Sequence, residues 1–349
     1  MKHMKRIILW GILSLSIQFI GLFYINNYYL AKGTSNMKIK KVEKKEEKKS
    51  NVDILVPEEY QNITVSFTSK YLAYNDEKAI EVINTITGDK KKVEAEKGCT
   101  ITYYTWLSNQ NRMLIGEKMP ASNGTTVLKL TYYDAGKNEK GEIADNYGKI
   151  VNLAKVNADA YIKDISVSLT NTTYVKGMQA GNKSSIYRVN IMHDINKVET
   201  RSHIIGNIKV LTREDNLLYE DITYKKIYST EIKNPIEIPG INNPNILGVD
   251  NEDIIYIGDK DNEKIKTIVY GNLKDSIGSW NKINLINPAN KEDIHVTGDG
   301  KVYINAKLEG VLKDAISGKE VQYEGRFLQI YKDGIASSSQ GKLVKTKID

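Results

Sequence analysis

The sequence predicts an all-β domain, a six-bladed or alternatively seven-bladed β-propeller, preceded by one N-terminal transmembrane helix. Three observations carry this reading. A nineteen-residue stretch near the start holds no charge. Beyond it, short runs of Ile, Val, Thr and Tyr alternate with Asn, Asp and Gly, the residues of strands and turns. These runs recur at a spacing of about 46 residues, the length of one four-stranded blade.

The apolar stretch IILWGILSLSIQFIGLFYI occupies residues 7–25, between a basic N-tail at 1–6 and a Lys/Glu-rich tether at 26–52. As a helix it spans roughly 28 Å at about 1.5 Å per residue, enough to cross the hydrocarbon core. Trp10 near one end and Tyr24, Tyr28 and Tyr29 near the other suit the two interfaces. A cleaved signal peptide also combines a basic start with an apolar run. The length of this run and the lack of a small-residue cleavage site in NNYYLAKG favour an uncleaved anchor in the cell membrane.

Orientation pits two basic segments against each other. Lys2, Lys5 and Arg6 abut the span and argue for a cytoplasmic N-terminus, whereas Lys32 and the run from Lys38 to Lys49 argue for the reverse. Distal charges count less, and long domains translocate largely regardless of charge, so residues 53–349 are expected outside the cytoplasm. Within the tether, Lys40 and Lys44, Lys41 and Lys45, and Glu43 and Glu47 are like-charged i,i+4 pairs, which disfavours a helix. As a flexible spacer it reaches about 25 Å.

Charge distribution bears on partners. The formal +7 is contributed by Lys2 to Arg6 and by the seven Lys and three Glu of Lys38 to Lys49. Residues 53–349 are therefore close to neutral, and nucleic acid is not an expected partner. Lys90, Lys91 and Lys92 read as a solvated hairpin tip, and the single cysteine, Cys99, as a small core residue.

The recurring unit is a polar turn followed by an apolar-rich strand. It is seen in TSKYLAYND (Thr68 to Asp76), LSNQNRMLIGE (Leu107 to Glu117), LTREDNLLYED (Leu211 to Asp221), VDNEDIIYIGD (Val249 to Asp259) and VTGDGKVYINA (Val296 to Ala306). SLTNTTYVKG at Ser168 to Gly177 is a weaker copy. Outer hairpins are expected in Ala79 to Glu94, Val127 to Ile143, Ser185 to Glu199 and Thr267 to Leu285. Gly325 to Ile348 either finishes a sixth blade or forms a seventh, and DILV at Asp53 to Val56 is placed to close the ring. A pair of β-sandwiches is the alternative, but it gives no reason for the regular spacing.

The TGDGKVYIN segment (Thr297 to Asn305) resembles the S-P-D-G-K turn and strand of the family containing the Tol-system propeller and the N-terminal propellers of prolyl-oligopeptidase-type peptidases. The resemblance covers about 290 residues, although the other copies lack the Pro and mostly the Gly. It implies blades around a central channel, with ligands at one mouth.

No G-x-S-x-G elbow, P-loop or dinucleotide fingerprint occurs, so neither a peptidase half nor a cofactor is implied. His193 and His203 lie near a blade junction without metal-ligand spacing. DKDNE at Asp259 to Glu263 lacks the Gly and the final Glu of a calcium loop and reads as a hairpin tip. Glu214 with Asp215, and Glu252 with Asp253, sit in turns. The candidate ligand-binding aromatics are Tyr103, Tyr104, Trp106, Tyr132 and Tyr133, which either form a recognition surface or fill space between blades. The leading expectation is a noncatalytic, membrane-anchored module that binds a protein or cell-envelope ligand. A carboxylate-based envelope hydrolase or lyase and a sensor acting through a membrane partner are the alternatives.

Overall fold

Each of the six motifs folds as the second strand of an antiparallel meander, four-stranded in blades 1, 3, 5 and 6, three-stranded in blade 4 and extended by a fifth strand in blade 2. These strands are Tyr71–Asn75, Arg112–Ala121, Thr173–Met178, Leu217–Asp221, Ile255–Asp261 and Val302–Ala306. The computed structural model describes residues 2–25, 52–60, 62–76, 78–144 and 148–348. Nearly all of the predicted tether lies outside them. The first unit, Met1–Lys48, contains the helix Lys2–Tyr24, whose stretch Met4–Tyr24 is long and apolar enough to be a candidate membrane span. The second unit, Lys49–Asp349, is a seven-bladed β-propeller.

Seven blades, rather than six, follow from one strand the spacing did not mark. Gly334–Ser339 (GIASSS) is the second strand of the last blade, between Arg326–Tyr331 and Lys342–Lys347. Its small side chains carry almost no apolar signal, and it follows Val302 at a shorter interval than the other units keep. The same segment therefore forms the seventh blade and not the end of the sixth.

The inner strands are Thr64–Val65, Thr100–Trp106, Tyr161–Val167, Ile205–Val210, Pro244–Val249, Ile294–Val296 and Arg326–Tyr331. Neighbouring inner strands pack on one another, including Arg326–Tyr331 on Thr64–Val65, so they surround one axis. Every sheet runs outward from its inner strand, and the turns after the inner strands bond to one another between neighbouring blades, which places these turns on one face of the ring. The core lies between blades. One cluster joins Ile80, Val82, Ile101, Met113 and Tyr133 across blades 1 and 2, and another joins Leu128, Ile162 and Val175 across blades 2 and 3.

The ring closes through DILV. Leu55 bridges Lys342, Val56 N donates to Gly341 O at 2.8 Å and Leu343 N donates to Ile54 O at 2.8 Å. The start of the domain thus supplies the outer strand of its last blade, and Ile54 and Val56 are buried against Val65, Leu72, Ile83 and Ala336. Burying two such side chains stabilises the closure by roughly 1.5–3 kcal/mol each. The exposed Lys342–Asp53 ion pair beside them contributes little.

The outer hairpins share one turn device. Asn84, Asp134 and Asp314 end a third strand, Asn190 directly follows one, and each accepts backbone N–H bonds from two to four residues ahead. A left-handed residue completes each turn: Gly88, Asn138, His193 and Gly318. His193 thus occupies a position that glycine fills in two other blades. Lys90, Lys91 and Lys92 lie on the outer strand Lys90–Glu94, fully exposed, instead of at a hairpin tip. Positive charge on an outer edge opposes pairing with another sheet. Asp259 to Glu263 does form a hairpin tip, with Asn262 and Glu263 both at positive φ, as a tight hairpin turn requires. Cys99 is a half-buried turn residue rather than a core one, and desolvation raises its thiol pKa.

Candidate functional site: the mouth of the central channel

The predicted aromatic set does not form one surface. Tyr103 and Tyr104 are consecutive strand residues and must point to opposite faces of the blade-2 sheet. Tyr104, Trp106 and Tyr133 pack toward blade 1, whereas Tyr103 and Tyr132 pack toward blade 3. Tyr104 donates its hydroxyl to main-chain carbonyls at Asn62 and Ala73, and Tyr133 donates to Asn138 Oδ1. Trp106 stacks on Tyr71 with centroids 6.3 Å apart, and the Arg112 guanidinium lies 5.2 Å from the Tyr132 centroid. These rings fill the spaces between blades. Only Tyr103 belongs to the polar site described next.

One face of the ring carries the turns that join first strands to second strands, and these are hydrogen-bonded from blade to blade. Lys332 N donates to Phe67 O, Leu169 N to Thr212 O, Thr212 Oγ1 to Asp250 O and Asn251 N to Gly298 O. The acidic residues of these turns are used in the same belt. Asp215 takes a forked bond from Arg188 and a 2.7 Å bond from Tyr174, across blades 3 and 4. Its carboxyl is held below the usual range, chiefly by Arg188. Asp250 accepts from Glu252 N, Ile254 N and Tyr256 OH, and Asp253 accepts from Arg213 N.

The opposite end of the channel is built differently. Five inner strands are bulged near their starts: between Ile101 and Tyr103, Ile162 and Asp164, Ile205 and Ile208, Ile246 and Gly248, and Phe327 and Gln329. A bulge leaves residues out of the ladder and redirects their side chains. Here these are Thr102, Lys163, Gly206 with Asn207, Leu247 and Leu328.

Charged residues of the second strands lie behind the bulges. Glu220, buried, accepts from Asn207 N at 2.8 Å, from Ile246 N at 2.6 Å and from Lys291 Nζ at 2.5 Å. It pins blades 4, 5 and 6 together and has no free oxygen for other work. Lys176, only 5% exposed, donates to Gly206 O at 2.5 Å, and desolvation lowers its pKa. Among the described residues no carboxylate lies within ion-pair distance of it. Asp164 accepts a 3.3 Å bond from Tyr103 OH, whose pKa is raised by burial and by that carboxylate.

Solvent-exposed residues of an innermost strand face the channel or its mouths. The exposed charged residues of the inner strands are Lys163, Lys209 and Arg326. Asp164 is the one acidic side chain on any inner strand, and it is half-buried. On the same face, the turn after Leu217–Asp221 and the loop before Pro244–Val249 frame a groove of about 570 Å³ lined by Tyr224, Ile236, Ile238, Pro239, Ile241 and Pro244. Asp221 Oδ1 holds that turn through Thr223 N and Tyr224 N, leaving Tyr224 71% exposed.

Comparison with solved structures establishes the propeller fold. The chain is similar to the Cps50 (Swd1) β-propeller domain of Myceliophteria thermophila, with 10% identity, a TM-score of 0.54 and coverage of 85% of this chain and 100% of that one. It is also similar to a chain of the mitotic checkpoint complex, with 11% identity, a TM-score of 0.50 and coverage of 85% and 94%. A prolyl endopeptidase aligns with 11% identity and a TM-score of 0.49 over 77% of this chain and 42% of its own length. No family model and no curated protein matches the sequence. At these identities the likeness is one of fold.

Sequence reasoning missed Lys163, Lys176 and Glu220. A signal was present, because each is a charged residue next to the apolar run of its strand: YIKDISV, TYVKGM and LLYED.

Proposed function

We propose that this chain is a noncatalytic binding module, held at the cell membrane by residues 7–25, which presents the channel mouth to a protein partner outside the cytoplasm. One observation carries the reading. Polar groups on the turn face are spent on contacts between blades, whereas the inner strands keep exposed cations that form no ion pair among the described residues. An unpaired charge facing solvent does nothing for the fold and is available to a ligand. The acidic pairs that a hydrolytic reading would use are committed to turn and interblade bonds, which favours binding over turnover.

Cross-linking on intact membranes followed by affinity purification tests this, with the full chain and with a chain lacking residues 33–51. A partner is expected with the full chain, and less of it when the tether is removed. Failure to recover a partner, together with turnover of a wall or peptide substrate by the purified chain, would overturn the reading.

A further inference from the structure

The geometry points to an acidic peptide segment as the ligand of the channel mouth, its carboxylates received by Lys163, Arg326 and the cations behind them. This rests on the binding-module reading and adds the chemistry of the partner. Residues 53–349 are nearly neutral, so a local excess of one sign is a feature of placement. On the rim loops Glu58, Glu59, Glu292 and Glu324 are exposed and Lys291 is paired with Glu220, whereas the exposed charges on the inner strands are all positive.

The cations are spread around the axis. Lys163 and Lys176 belong to blade 3, Lys209 to blade 4 and Arg326 to blade 7. A single phosphate is compact and is best held by a fork or by convergent N–H groups. Cations on separate blades instead match charges distributed along an extended chain. Lys176 adds a second argument. Its buried ammonium has three donors, one of them given to Gly206 O, and the nearby carboxylates are Asp164, its cross-strand partner, and Glu220, neither within ion-pair distance among the described residues. Asp164 and Glu220 offset only part of the cost of burying that cation, since desolvation still lowers its pKa, and a carboxylate entering the mouth offsets more of it. Asn207, on the inner strand of the adjacent blade, is an exposed amide suited to peptide backbone.

The test uses the full chain in detergent micelles and a fluorescein-labelled peptide alternating Glu and Ser, followed by anisotropy. Binding is expected to weaken with added salt, as screened charge pairs do. Lys163→Glu with Arg326→Glu is expected to weaken it by about tenfold or more, the neutral pair Lys163→Gln with Arg326→Gln by less, and Lys90→Glu with Lys91→Glu on the outer strand hardly at all. No peptide binding, or equal losses at the channel and outer-strand positions, would overturn the assignment. So would tighter binding of an inorganic polyphosphate of matched charge. If the charge-reversed chain still captures its partner on membranes, the binding-module reading stands and the acidic-segment inference fails.

Discussion

The two faces of the ring use similar residues for opposite ends. On the turn face, Asp215, Asp250 and Asp253 are acidic groups whose oxygens accept bonds from their own or a neighbouring blade. On the mouth face, bulges open the inner strands, Lys176 is buried with Asp164 and Glu220 nearby but without an ion pair among the described residues, and Lys163 and Arg326 are exposed and make no ion pair among those residues. Satisfied polar groups mark where the fold is fastened, and unsatisfied ones mark where it departs from its own stability to do something else. The position of a charge in the ring therefore says more than its residue type.

Breaking the ring itself should have the largest effect and should spare neither face. Ile54→Ala with Val56→Ala removes the apolar contacts of the closing strand and should cost about 4 kcal/mol in urea unfolding. A loss below about 1 kcal/mol would show that closure does not depend on this segment.

Damage confined to the turn face should come next. Asp250→Ala leaves Glu252 N, Ile254 N and Tyr256 OH without their acceptor and should cost about 2–3 kcal/mol. Partner capture by the folded fraction should be unchanged. A selective loss of capture would mean that the turn face, too, binds.

His295 offers a pH test of the blade 6–7 junction. Its ring lies tilted against Phe327 with centroids 4.9 Å apart, and desolvation depresses its pKa to about 4. With the folded value below the unfolded one, the unfolded chain takes up the proton first. Stability should therefore fall as pH drops from about 6.5 to about 4, by roughly 2–3 kcal/mol, and be unaffected above that window. His295→Gln should abolish this component, measured as the difference between urea midpoints at the two ends of the window. An identical pH dependence in the variant would remove His295 as its source.

The smallest stability change should occur at the mouth. Lys176→Met exchanges a buried ammonium for an apolar chain of similar length and should shift stability by no more than about 1 kcal/mol, in either direction. Acidic-peptide binding should nevertheless weaken. A large stability loss with unchanged binding would invert the contrast between the faces.

Much of this architecture was legible because the second strands repeat polar turn, then apolar strand, and six of the seven carry the apolar signal. The seventh did not, since only Ile335 among GIASSS is a large apolar residue. The outer hairpins were readable from their Asx and Gly positions, and the closing role of DILV from its place before the first unit. The split of the aromatic set was also implicit, because Tyr103 and Tyr104 cannot share a strand face. The bulges were not legible. A polar residue inside a strand marks equally well a solvated face, a buried ion pair or a bulge, and only the register of the neighbouring strand decides among them.

The most direct measurement is partner capture by cross-linking on intact membranes, comparing the native chain with Lys163→Glu/Arg326→Glu at the mouth and Lys90→Glu/Lys91→Glu on the outer edge, all at equal surface abundance. Capture should fall sharply for the mouth pair and remain at the native level for the edge pair. Equal capture by all three would contradict the claim that the channel mouth is the binding face.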